Sequence, residues 1–330
     1  STHRDEYRDP GLFFSHTYFT DGLKGTIRDV ASRLSGGAGA AITEMQTPFG
    51  GGKTHALLSI YHIFNDPETS LAVAGVREAL GEGFTVPPKT RVLVFDGQEY
   101  GADFIQKEDT TQVQTLWGEL AYQIDPGVFR RDVKTSDEQG LAPGNALFRE
   151  VLIYAAPCVI LIDELVSYLV KLKFGNRRTQ NLYKQTVQFL QDLFQEAGNI
   201  PGICILFSLP KSQREFGGLD PEQLQRELGV IDELRPRADR TVSKRTPVED
   251  QEIYTLVSKR LFKKVDREAG RRVVEAYRAM HERDRAVYDE TVFSGDYEKQ
   301  ALEAYPVHPA LIDAIYKKWS TISDFPRTRA

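Results

Sequence analysis

The 330-residue sequence predicts an α/β fold, a parallel sheet flanked by helices and followed by a smaller all-helical domain. Three observations predict it. Short apolar runs at 40–45, 91–95, 159–162 and 203–207 read as buried strands, and segments with helical spacing alternate with them. From residue 253 onward the pattern is helical, with one polar interruption near 289–295. Between the first apolar run and the next helical pattern lies Gly50-Gly51-Gly52-Lys53-Thr54-His55, a glycine run that lets backbone N–H groups converge on phosphate oxygens.

The elements follow in order. Phe13, Phe14, Tyr18 and Phe19 form an aromatic lead-in to a helix over 21–34, which Ser35-Gly36-Gly37 ends. Residues 40–45 are the first strand. In the helix that begins near Thr54, Leu57, Ile60, Tyr61 and Phe64 recur at helical spacing and would pack on the sheet. The second strand, 91–95, ends at Asp96-Gly97. Residues 97–146 read as an insertion with a helix over 111–124 and a polar loop over 130–144; a structureless loop of the whole length is uncommon in a compact domain, so helices are expected there. The third strand, 159–162, runs into Asp163-Glu164, and a helix carrying Leu182, Thr186, Phe189, Leu190 and Leu193 follows. The fourth strand, 203–207, ends at Ser208, and 241–248 is a candidate fifth, with Pro247 at its end. This divides the chain into an α/β nucleotide-binding domain over 1–248 and a helical lid domain over 249–330. No internal repeat is visible.

Composition narrows the function classes. A net charge of −5 gives no global attraction for nucleic acid, so any such contact must come from a local patch. Cys158 and Cys204 both sit in apolar runs and read as buried core residues of a reducing, cytoplasmic protein. No apolar run approaches the roughly 18 residues of a membrane span, and the polar start has no signal-peptide pattern. A chain that begins at Ser1 and stops at Arg329-Ala330 reads as a piece of a longer polypeptide.

The chemistry-bearing residues start at the glycine run. Pro48, Phe49, Gly50, Gly51, Gly52, Lys53, Thr54 and His55 are the candidate phosphate-binding residues of a P-loop NTPase. Lys53 would reach the β- and γ-phosphates, the Thr54 hydroxyl would ligate Mg²⁺, and the dipole of the helix starting there would face the anion. The pattern G-x-x-x-x-G-K-[ST] wants glycine at position 47, where Thr47 stands. A flexible glycine-rich turn is the alternative. Asp163 and Glu164, at the carboxyl end of a buried strand, complete the set: Asp163 would hold Mg²⁺ and Glu164 would orient or deprotonate a water. Ser208 would contact the γ-phosphate or that water. Arg240 is the leading candidate among Arg235, Arg237, Arg240 and Arg245 to reach a neighbouring subunit's γ-phosphate; the alternative is a solvated basic face pairing with Asp232, Glu233 and Asp239. Arg327 and Arg329 could lean over the nucleotide from the helical domain. Lys171, Lys173, Arg177, Arg178 and Lys184, with Phe174 and Tyr183 among them, could hold a nucleic-acid backbone or form a solvated helix face. The six histidines show no metal-ligand spacing.

Five segments together carry a resemblance: 48–58 (Pro-Phe-Gly-Gly-Gly-Lys-Thr-His-Ala-Leu-Leu), 115–121 (Thr-Leu-Trp-Gly-Glu-Leu-Ala), 159–165 (Val-Ile-Leu-Ile-Asp-Glu-Leu), His308-Pro309 and 325–329 (Phe-Pro-Arg-Thr-Arg). With them the chain resembles a family of large prokaryotic AAA+ "predicted ATPases" found beside DNA methyltransferases in phage-defence clusters, PglY-like and of BREX type. The resemblance implies an AAA+ core with a helical lid, ATP and Mg²⁺ as cofactors, and a longer natural protein. It also implies work in a DNA-directed defence or modification complex, as a homo-oligomer or with partners such as a DNA methyltransferase. Thr47 then fits as a family trait, while Ala330 departs from the Gly expected after Arg-Thr-Arg. The rival expectations are an ATP-bound switch with little turnover, a small-molecule kinase and a DNA-stimulated motor.

Overall fold

The computed structural model describes residues 6–46, 52–101, 105–209, 222, 225–231, 242–248, 252–262 and 264–315. The strands are β1 (Ile42–Met45), β2 (Arg91–Asp96), β3 (Ile105–Gln106), β4 (Gln112–Val113), β5 (Cys158–Asp163), β6 (Ile203–Ser208) and β7 (Ser243–Arg245). Five of them form one sheet in the order β2-β5-β6-β1-β7. Every pairing in it is parallel.

Both faces of this sheet are covered, which is why its central strands read as unbroken apolar runs. Met45, Val159, Leu161, Cys204 and Leu206 face the helices Asp21–Leu34 and Lys53–Asn65. Ile160, Ile162, Ile203, Ile205 and Phe207 face the helices Leu116–Ile124, Asn145–Ala155, Leu165–Lys173 and Arg177–Asn199. A one-residue slip of β5 or β6 would exchange its two faces between differently shaped layers, so packing fixes the register that aligns the strand ends. Cys158 and Cys204 are buried free thiols, and burial pushes each up to about 12.

The edge at β2 is closed by a side chain. Gln123 accepts from the Val94 N–H at 2.8 Å and donates to the Val94 carbonyl at 2.7 Å, taking the place of a neighbouring strand.

The insertion differs from its sequence reading in two places. The helix expected over 111–124 starts only at Leu116, because Thr115 caps it by accepting from Gly118 N at 3.0 Å. Residues before the cap pair instead, β4 antiparallel to β3. The expected polar loop over 130–144 is helical from Phe129 to Gln139. Phe129, Val133 and Asp137 recur every fourth residue and are all buried. Asp137 accepts from the backbone N–H of Gln114 and Thr115 and from the Thr115 hydroxyl at 2.6 Å, so a polar residue serves as a core anchor. Gly118 is required beside it, since a Cβ there would lie 2.0 Å from Asp137 Oδ1.

Upstream, the lead-in contains a short helix, Pro10–Ser15, capped by Asp9. Downstream, the helices Ile253–Leu261, Gly295–Ala304 and Pro309–Asp313 gather around Tyr254, Ala304 and Ile312, and Arg267–Arg283 packs on Gly295–Ala304. A 3₁₀ turn, Glu290–Phe293, occupies the polar interruption. The helical region meets the lead-in where Glu252 accepts from Asp21 N at 2.7 Å and Lys259 lies 4.4 Å over the Tyr18 ring. Among the described residues no helix is long and apolar enough to cross a membrane.

Candidate active site

The carboxyl ends of β1, β5 and β6 lie side by side, with Met45 opposite Ser208 and Ile162 opposite Phe207. The chain leaving β1 goes to β2 at the far edge, whereas the chain leaving β6 goes to β7 on the other side of β1. The two connections leave adjacent strands in opposite directions, and open α/β sheets bind ligands in the crevice outside the carboxyl ends of their strands.

The residues expected there converge. Gly52, in the left-handed region at φ 92°, turns the chain into the Lys53–Asn65 helix. That conformation suits glycine, and a Cβ would also meet Val248 at 3.3 Å. Thr54, in the first turn, donates its hydroxyl hydrogen to Asp163 Oδ2 at 2.8 Å. Asp163 Oδ1 accepts from the Ser208 hydroxyl at 2.5 Å and from Glu164 N at 3.0 Å. Ser208, from β6, is buried. One carboxylate thus joins the helix start, the strand end and the adjacent strand. Pro48, Phe49, Gly50, Gly51, Arg235, Arg237, Arg240, Arg327 and Arg329 lie outside the described residues.

Glu164 follows β5 in the left-handed region, φ 51° and ψ 35°, where a residue with a Cβ is strained by about 1–2 kcal/mol. Such strain persists where the surroundings hold it, and it marks functional positions. Here Gly97 is part of the hold. Its N–H donates to Asp163 O at 2.9 Å, and a Cβ on it would fall 2.1 Å from Glu164 O and 2.9 Å from Tyr168 Cβ. Lys171 fastens the same loop, donating to the carbonyls of Gly97, Gln98 and Tyr100 at 3.0, 2.7 and 3.1 Å. Two outcomes follow. Glu164→Gly should raise stability by up to about 1 kcal/mol in a denaturant melt by releasing the backbone. Gly97→Ala should lower it by about 1–3 kcal/mol, because backbone rather than a mobile side chain must give way, and should disturb Glu164.

Other candidates are engaged elsewhere. The His55 ring stacks on Phe13 with centroids 4.6 Å apart, and its Nε2 lies 3.1 Å from Thr17 Oγ1. Burial, with lesser contributions from Arg260 and His62, pushes its pKa down to about 4, so the ring is neutral at pH 7. Thr17 donates its own hydrogen to Phe13 O at 2.8 Å, which leaves its oxygen to accept from His55. His55 therefore ties the Lys53–Asn65 helix to the lead-in. Arg245 pairs with Asp29, and Asp232, Glu233 and Asp239, the partners expected for the basic cluster, lie outside the described residues. In the basic segment, Lys171 is held by the three carbonyls and Lys173 lies 5.3 Å over the Tyr183 ring.

From the sequence Gly97 was only a strand end and Lys171 only a possible nucleic-acid contact, because their roles here depend on how the β2 end abuts the β5 end. The sequence reading missed Ser167, and it also missed Glu44, buried in β1 and accepting from Gln46 Nε2 at 2.7 Å. A glutamate inside an apolar run was the available signal for it. Glu227, half-buried in the helical stretch 225–231, has its carboxyl raised first by burial and then by the charge of Glu164, which brings a further acid to this region.

A family model described as DUF499 N-terminal domain matches residues 2–244. The chain belongs to this family. The DUF499 N-terminal domain match takes in the lead-in, both helical layers and the converging acids, and it ends within β7. The helices from Ile253 onward lie beyond the matched span. A search of curated proteins finds no match.

Proposed function

We propose that this chain is an ATPase of the P-loop, AAA+-like type that binds ATP with Mg²⁺ at the β1–β5–β6 strand ends and hydrolyses it. The observation that carries the reading is the 2.8 Å contact between Thr54 and Asp163, residues 109 apart in sequence. It puts a hydroxyl from the helix that follows the glycine run against a carboxylate from a second strand. Both are hard oxygen donors, and Mg²⁺ characteristically takes one or two protein oxygens beside phosphates and water. Thr54 and Asp163 would hold Mg²⁺, which when bound would offset the charge of the phosphate oxygens.

The chain's own residues divide the remaining work. Gly52 and the N-terminus of the Lys53–Asn65 helix present backbone N–H groups to the anion. Lys53 compensates phosphate charge. Ser208, hydrogen-bonded to Asp163, keeps that carboxylate aimed at the crevice. Glu164, one residue beyond, takes the proton of the attacking water. An arginine from 235–245, Arg240 foremost, would act on a neighbouring copy's γ-phosphate, and the helical region would serve as the lid.

The wider setting rests on the resemblance alone: a cytoplasmic, PglY-like ATPase of a BREX-type defence complex, acting as a homo-oligomer or beside a DNA methyltransferase. The engagement of Lys171 and Lys173 favours an internal role for those residues over DNA binding. Calorimetric titration with ATP, with and without Mg²⁺, tests the binding half of the reading. Tighter binding with Mg²⁺ is expected, and equal weak heats in both would contradict it.

A further inference from the structure

Glu164 is held by more than its backbone. It occupies the N-cap of the Leu165–Lys173 helix, yet its side chain caps no backbone N–H. Instead Oε2 accepts the Ser167 hydroxyl hydrogen at 2.9 Å. Ser167 sits one helical turn along, half-buried, between the buried neighbours Val166 and Tyr168. The main chain of Glu164 is fixed independently, its N–H lying 3.0 Å from Asp163 Oδ1 and 3.2 Å from Ser208 Oγ. Among the described residues nothing donates to Oε1. One carboxylate oxygen is therefore tethered and the other is left for a reacting water.

We propose that Ser167 is a positioning residue for hydrolysis, acting through Oε2 of Glu164 and touching neither nucleotide nor water. The inference rests on the hydrolytic reading of the site. The physical reason is rotational. A glutamate has three side-chain torsions, and a base that must meet a water at about 2.6–3.2 Å loses rate when it samples other rotamers. The Ser167 hydroxyl selects one orientation of the carboxylate without adding charge. Stability alone would be a weaker reason for the contact, since Glu164 spends its capping position on a side chain and leaves the helix end uncapped by it.

The test is a double-mutant cycle in steady-state Mg-ATP hydrolysis, with a thermal melt of each variant to show that it folds. Ser167→Ala should lower kcat about ten-fold, the scale of losing one hydrogen bond to a charged group, with KM unchanged. Ser167→Thr keeps the hydroxyl and should stay within about three-fold of the parent. In a Glu164→Ala background, Ser167→Ala should change nothing further. An equal loss in that background, or a parent-like kcat for Ser167→Ala, overturns the role of Ser167 while leaving the ATPase reading intact. A parent protein that releases no phosphate overturns both.

Discussion

Glu164→Gln is expected to bind ATP as the parent does and to hydrolyse it about 10²–10⁴-fold more slowly, the usual contribution of a general base. The substitution preserves shape and one acceptor oxygen for Ser167, and it removes the negative charge and with it the basicity. The Asp163 contacts to Thr54 and Ser208 do not involve the Glu164 side chain and should survive. Binding and turnover therefore separate, and a filter or fluorescence assay of bound nucleotide beside a phosphate-release assay reads both. Equal losses in the two would instead assign Glu164 to nucleotide binding.

Lys53→Ala should abolish nucleotide binding in the micromolar range, with a loss of about 2–5 kcal/mol for truncating one partner of a desolvated charge pair. The fold should be unharmed. Lys53 opens its helix, where a cation opposes the helix dipole. Ligand linkage makes the effect visible by melting. Parent protein should gain thermal stability with Mg-ATP, by about 2.7 kcal/mol at one hundred times Kd, and Lys53→Ala should gain none. A parent-like shift in the variant would contradict the role given to Lys53.

How much of this was legible in the sequence depends on the kind of interaction. The central strands were readable because a sheet buried on both faces demands continuous apolar runs, as at 159–162 and 203–207. The meeting of Thr54 with Asp163 was expected because the site read from the sequence asks for a hydroxyl just after the glycine run and a carboxylate at a strand end. Strand order was not legible, because nothing local in β6 says that it lies between β1 and β5. The helix over 129–139 was hidden by Asp137, a buried carboxylate that polarity alone marks as solvent-facing. Gly97 and Ser167 were hidden for a related reason. A small residue beside a strand end has no pattern of its own, and its meaning appears only with the atom it approaches. His55 stands at the boundary between the two cases. It lies in the helix after the glycine run, as read, but its ring faces Phe13 and Thr17.

The crevice holding Thr54, Asp163 and Glu164 is proposed to hydrolyse ATP. Steady-state phosphate release from Mg-ATP, measured for the parent and Glu164→Gln side by side, tests it most directly. Turnover by the parent is expected to require Mg²⁺ and to fall at least about one hundred-fold in Glu164→Gln. Equal phosphate release by the two proteins, or none by either, would contradict the proposal.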